Sequence, residues 1–341
     1  MKKLIFLLGL LLLSAVVPAM AGNGQSGELE SLWLLAPLVL GITLDPASIA
    51  GLYKSFNTIF NEAMAAAQPQ YQRIAMEVPS STAINVYPWL GAWPKMREWL
   101  GDRQVHKLEA FDWQIVNKTW EGTIEIPVES VEDDQYGIWR PVVAGQGTLV
   151  RLHPDDLVFG LLNDGFTLKG YDGKTFFATD HKSGSNKATA ALSFAAGGSY
   201  AVAKATLDRV KDSQGNPLFS GAERDILVVG PELDEKARIG LNSDYISVSG
   251  GSTQDNPWKN SADLVKSPKI TSATAWFLLR PFAGLLPVIF QMRRQPRFIG
   301  PGEPGIEHYR IMKNKLIYGV DGRWNAGYGL HQLAYGSTGA V

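Results

Sequence analysis

The sequence predicts an α+β fold, and three observations predict it. Apolar residues recur at helical spacing in "PASIAGLYKSFNTIFNEAMAAA". Strict alternation runs from Phe111 to Val128. A second helical stretch is then followed by mixed and strand-like blocks up to the C-terminus. The chain has 341 residues, enough for one large domain or two modest ones. Hydrophobic residues make up 45% and charged residues 19%, a balance that supports a packed core rather than disorder. With 32 Lys and Arg against 33 Asp and Glu, no overall positive charge marks a general nucleic-acid binder. The absence of cysteine excludes thiolate chemistry and cysteine-held zinc.

Residues 1–21 read as a secretory signal: Lys2 and Lys3, an apolar run from Leu4 to Val17, then Ala19-Met20-Ala21. Residues 22–41 are a spacer, polar over "GNGQSGELES". The first helix starts at Pro46, with Asp45 as a plausible N-cap. Its buried face carries Ile49, Leu52, Tyr53, Phe56, Ile59 and Phe60. Trp89, Trp93 and Trp99 lie among Pro and Gly, which predicts compact loop with one helical turn over residues 96–100. In the alternating stretch, Phe111, Trp113 and Ile115 share one face, continued by Trp120, Ile124, Ile126 and Val128. That pattern predicts a β-hairpin turning near Asn117-Lys118.

Helical spacing returns before Gly165. Pro154 is expected to kink the helix or start a new segment, and Gly165 to stop it. Beyond Phe166 the pattern is mixed: a helix in "YAVAKATLDRV", a buried strand at Ile226 to Val229, then another helix. Strands are expected in "KITSATAWFLL" and "PVIFQMRRQPRFI". The last stretch reads as strand, turn, strand.

Few residues suggest catalysis. His181 beside Asp180 is the most enzyme-like spot, but a catalytic His needs both a nucleophile and an orienting acid, and "FATDH" reads as a polar loop entry. The five histidines lack any helical pair at i+3 or i+4. Glu132-Asp133-Asp134 lacks the spaced ligands of a calcium loop. "YDGKTFF" contains Gly-Lys-Thr without the leading glycine of a phosphate loop. The reading is therefore no catalytic residue, no metal and no cofactor. One charge pattern stands out. Eight acidic residues between Lys107 and Gln135, including Glu121, Glu125, Glu132, Asp133 and Asp134, face a basic stretch containing Arg293, Arg294 and Arg297. Such complementarity suits head-to-tail contact between subunits, with Trp113 and Trp120 as the apolar anchors of that contact.

Several segments together carry a resemblance: "YPWLGAWPKMREWLGDR", "NKTWEGTIEIPVESVEDDQYGI", "HPDDLVFGLLNDGFT", "YDGKTFFATDH", "NPWKNSADLVKSP", "TSATAWFLL" and "YGVDGRWNAGYGLHQLAYGS". From about residue 42 to 341 the chain resembles the Mu-like prophage major head subunit family. The resemblance implies a tailed-phage capsid fold of the Hong Kong ninety-seven type. It implies an arm at 46–67, an E-loop at 107–131, a spine helix at 137–163, an axial domain at about 166–265 and peripheral strands at 266–341. It also implies self-assembly into hexamers and pentamers of an icosahedral shell, with no enzymatic activity. The implied partners are a scaffold or protease, a portal, and packaged double-stranded DNA bound without sequence specificity, with no membrane. The implied location is the virion capsid, assembled in the bacterial cytoplasm. The signal-like start conflicts with that location and is read as an upstream mis-start or a processed piece. An encapsulin-like compartment and an exported periplasmic binding protein are the alternative readings.

Overall fold

A computed structural model describes residues 46–87, 113–133, 137–211, 217–218, 224–247, 253–301, 310 and 312–340. The signal-like segment, the spacer, the Asp45 cap, the loop tryptophans, the predicted turn at 96–100 and Asp134 lie outside them.

Helix α1 spans Pro46–Ala66 and buries Ile49, Phe56 and Phe60, three members of the predicted stripe. Strand β1 (Ala75–Pro79) follows, then β2 (Ile84–Val86). The chain re-enters the described residues at β3 (Gln114–Val116) and continues into β4 (Lys118–Pro127) and a short helix, α2 (Val128–Glu132). The predicted hairpin turn at Asn117-Lys118 is absent. β3 pairs antiparallel with β2, and β4 pairs antiparallel with a distant C-terminal strand. Asn117 has a turn former's chemistry but is buried. Its amide donates to Ser80 Oγ at 2.7 Å and to the Thr82 carbonyl at 2.9 Å. Asn117 thus pins the chain as it passes from one sheet to the other.

Helix α3 (Trp139–Asp164) runs for 26 residues through Pro154 without a break. Gly165 ends it, but with φ −62°, so no left-handed cap is formed. Glycine is required there for space: a Cβ would meet the Phe177 ring at 2.6 Å. Near its middle, α3 crosses α1 at Gly147, where a Cβ would meet the Phe60 carbonyl oxygen at 2.5 Å.

The remaining elements are β5 (Lys187–Ala188), α4 (Ser199–Asp208), β6 (Asp225–Val229), α5 (Asp234–Asn242), β7 (Tyr245–Ser247) and β8 (Thr253–Asp255). They continue with β9 (Ala262–Lys266), β10 (Trp276–Leu279), β11 (Val288–Ile299), β12 (Lys315–Tyr328) and β13 (Ala334–Ser337). Two principal sheets result. One has the order β1-β11-β12-β4, the other β5-β13-β10-β6-β9. β7 pairs with β8 in a small separate ribbon.

The second half of α3 packs where the two principal sheets meet. Val158, Phe159 and Leu162 join Tyr71, Phe290 and Trp324 on one side and Ile226, Val228 and Phe277 on the other in one cluster. The opposite face of the second sheet is covered by Tyr200, Ala203 and Leu207 of α4 and Ala237 and Leu241 of α5. With both faces covered, β6 and β10 are buried at every position, so "WFLL" and, after Asp225, "ILVV" run apolar without alternation. The first half of α3, with α1, closes a third cluster around Phe60, Val143, Phe298 and Tyr318.

Candidate functional site

The residues expected to contact a neighbouring copy are largely engaged within the chain. Trp113 donates its indole N–H to the Tyr328 carbonyl at 2.8 Å, and Trp120 donates to the Trp324 carbonyl at 2.9 Å. The Trp120 ring lies 4.4 Å from the ring of His153. Both indoles therefore fasten the β3–β4 strip to β12. Glu125 pairs with Lys315 on the adjoining strand. Arg294 pairs with Asp321, which Arg297 also approaches at 3.3 Å. Glu121 accepts a hydrogen bond from Thr123. Arg293 is half-buried, and its Nη1 is shielded without a hydrogen-bond partner. Glu132 and Asp133 are exposed at the end of α2.

Apolar surface without internal cover lies elsewhere. On the β2–β3 ribbon, Ile84 pairs directly with Val116. Ile84, Val86 and Val116 are 43%, 49% and 52% exposed, while Ile115 on the other face is buried. The residues that connect the two strands, 88–112, lie outside the described ones. On α3, Val142 and Leu149 are also exposed, seven residues apart on one helical face. A hydrocarbon face left wet in the free chain favours burial against another surface.

A buried polar cluster joins the turn-rich segment after α3 to the turn between β12 and β13. The His181 Nδ1 and Asp172 Oδ2 atoms are 2.5 Å apart. Ser183 Oγ lies 2.9 Å from Nε2 of His331. The two imidazoles stack at 3.8 Å with planes 10° apart, and Tyr171 stacks on His331 at 5.2 Å. Burial depresses the His331 pKa to about 3, and the neighbouring His181 adds to the effect. Burial alone would raise Asp172, but the His181 hydrogen bond and both imidazoles hold its carboxyl below the usual range.

Asp172, His181 and His331 are close enough to surround a cation, with ligand atoms within 4.8 Å of one another. The rings do not suit one. Imidazole lone pairs lie in the ring plane, and two nearly parallel planes 3.8 Å apart offer no common point to bind. The Ser183–His331–Asp172 sequence resembles a nucleophile relay in composition only. His331 Nδ1 stands 4.0 Å from the carboxylate, and its low pKa makes it a poor general base.

Sequence reasoning singled out His181 with its neighbour Asp180. In the structure Asp180 pairs instead with Lys174, and the cluster partners come from Asp172, nine residues before His181, and from His331. No local spacing signals that meeting.

A second buried polar cluster is fully paired. Arg280 donates from Nε to Asp225 Oδ1 at 2.7 Å, from Nη2 to Asp225 Oδ2 at 3.1 Å and from Nη1 to Asp208 at 2.6 Å. Lys204 adds a bond to Asp225 Oδ2 at 2.8 Å. Burial alone would lower the Arg280 pKa, but the bonds to Asp225 and Asp208 raise it.

The family described as Mu-like prophage major head subunit gpT matches the chain over residues 49–201, 191–270 and 269–341. The major capsid protein of Escherichia phage Mu is 30% identical over 294 residues, covering 86% of this chain and 74% of that protein. The Mu-like prophage FluMu major head subunit of Haemophilus influenzae is 31% identical over 296 residues, covering 87% of this chain and 75% of that protein. Among solved structures, the procapsid of bacteriophage JBD30 superimposes with a TM-score of 0.53 at 29% identity, covering 86% of this chain and 76% of that one.

Proposed function

The chain belongs to the Mu-like prophage major head subunit family, and on that premise we infer that it is a structural subunit of a phage capsid, with the tailed-phage capsid fold. The observation that carries the reading is the family match, which extends from residue 49 to the C-terminus. The exposed apolar faces of the β2–β3 ribbon and of α3 support it, because a lattice of copies supplies the cover that a single chain lacks. No enzymatic activity belongs to this role.

The finer assignments are proposals. Helix α1 serves as the arm and α3 as the spine helix. The sheet of β6, β10 and β13 with α4 and α5 forms the axial part, and β11 and β12 belong to the peripheral part. The E-loop is proposed at residues 107–131, whose described part comprises β3 and β4 and the start of α2. Copies are proposed to form hexamers and pentamers around double-stranded DNA, with scaffold or protease and portal proteins as assembly partners. The proposed location is the virion, assembled in the bacterial cytoplasm. Among the described residues no helix is long and apolar enough to cross a membrane.

Electron microscopy of the expressed chain tests the reading, with closed shells as the expected product. Ile84→Asp combined with Val116→Asp is expected to leave free subunits. Its thermal midpoint should stay near that of the unassembled parent, since both side chains already face solvent. Shells formed at the parental concentration threshold by the double variant would refute the ribbon's part in assembly. Parent material that stays monomeric at every concentration and salt level would refute the reading as a whole.

A further inference from the structure

His181 and His331 meet face to face in the interior, and neither ring has a complete set of hydrogen-bond partners. The His181 side chain is wholly shielded from solvent, and its Nε2 has no partner. His331 is 4% exposed, and its Nδ1 has none. We propose that the stacked pair on Asp172 is an acid-released clasp that holds the segment from Tyr171 to Asn186 onto the turn at His331–Leu333.

In the neutral stack, His181 Nδ1–H donates to Asp172 and its Nε2 is a bare acceptor. Ser183 occupies Nε2 of His331. His181 Nε2 is buried and faces no hydrogen-bond partner. A proton on His331 would create a cation 3.8 Å from the other ring, in an interior that opposes charge. The nearest carboxylate oxygen, Asp172 Oδ2, is already taken by His181 and lies 4.0 Å away.

The surrounding charges do not rescue the cation. Lys174 opposes it, and the exposed Asp180 is engaged with that lysine. Tyr171 contributes a ring and a hydroxyl committed to Gln332. The remaining way to hydrate a protonated imidazole is to part the two segments.

Asn186 sits at the end of the clasped segment and ties together its two sides. Its amide donates to the carbonyls of Phe176, His331 and Ala334, and the chain then enters β5 beside β13. Release at the histidines therefore loosens the β5 edge of the second sheet, whose inner strands β6 and β10 stay covered on both faces. The inference does not depend on the capsid reading, since every group in it lies within one chain.

Amide hydrogen exchange read by mass spectrometry on the full chain tests the clasp at about pH 7.5 and about pH 5, with rates corrected for intrinsic chemistry. The parent should lose protection about tenfold or more across residues 171–186 at the lower pH, while β6 and β10 keep theirs. Two variants remove one imidazole of the stack each. His331→Gln keeps an amide near the Nε2 position that Ser183 contacts, and His181→Asn keeps a donor near the Nδ1 position that serves Asp172. Both should show no acid-dependent loss. A variant that has misfolded will reveal itself by exposed β6 and β10, and the other then carries the test. Unchanged protection in the parent overturns the proposal, as does an acid response that persists in a folded variant. Strong neutral-pH stabilisation by added Zn²⁺ that both variants abolish would also overturn it, by making the cluster a metal site.

Discussion

The two buried polar clusters contain similar ingredients arranged to opposite ends. Around Asp225, the carboxylate meets a guanidinium in two parallel bonds and an ammonium in a third, and Asp208 takes up the outer nitrogen of Arg280. Around Asp172, the carboxylate bonds one of two stacked imidazoles, and one nitrogen of each ring is left without a partner. Arginine and lysine hold their charge across the physiological range, so the first cluster is insensitive to pH near neutrality. Histidine does not, so the second responds to acid. The difference teaches that satisfaction and titratability, rather than the mere burial of charge, separate a fixed tie from a releasable one.

The largest effect is expected from unbalancing the fixed tie. Asp225→Asn leaves the Arg280 guanidinium, whose side chain is 7% exposed, with Asp208 as its remaining carboxylate. A buried charge stripped of its main partner should cost about 3–5 kcal/mol. Denaturant unfolding should show this loss undiminished between about pH 6 and pH 8, because the Arg280 guanidinium, whose pKa is raised by its carboxylate partners, keeps its charge there. A strongly pH-dependent loss would break the comparison.

Acid should next weaken the releasable tie. The folded pKa of His331 is depressed to about 3, below the ordinary imidazole value. Its neutral form is therefore favoured by folding. The contribution is complete above about pH 6.5 and is lost as pH falls toward 3, where the unfolded chain binds a proton that the folded one refuses. Between about pH 7 and pH 5 the loss should approach ~2 kcal/mol. His153 works in the same direction. Its pKa is lowered by burial, and its Nδ1 must stay unprotonated to accept the Trp324 indole N–H at 3.1 Å. Asp172, also depressed, adds its loss only in more acid solution. Unfolding curves for His331→Gln should recover most of the drop, and His153 should account for the remainder. An unchanged drop would show that other groups control the acid response.

Sequence patterning discloses what repeats locally. Helix α1 was legible from its apolar stripe, and β6 from an unbroken apolar run that fits a strand covered on both faces. The hairpin was misread because Asn117 has the chemistry of a turn residue. In the fold its amide is spent on Ser80 and Thr82, contacts more than thirty residues distant that no local pattern encodes. Gly165 was read correctly as a stop, but for a conformational reason, when the operative reason is the Phe177 ring. The histidine cluster was hidden for the same kind of cause: Ser183 and His331 stand 148 residues apart. Its local hint, His181, was paired with the wrong aspartate.

The smallest effect should come from the charges that sequence reasoning valued most. Glu125 and Lys315 face each other across β4 and β12, with side chains 37% and 42% exposed. Water screens such a pair, and holding two flexible side chains in one geometry costs entropy, so its net worth is about 0–1 kcal/mol. Glu125→Gln should therefore shift chemical stability by less than about 1 kcal/mol, an effect that fades further as salt is raised. If instead assembly, measured by light scattering, collapses while subunit stability holds, Glu125 would have a second partner on a neighbouring copy. That outcome would support the head-to-tail contact expected of the acidic strip.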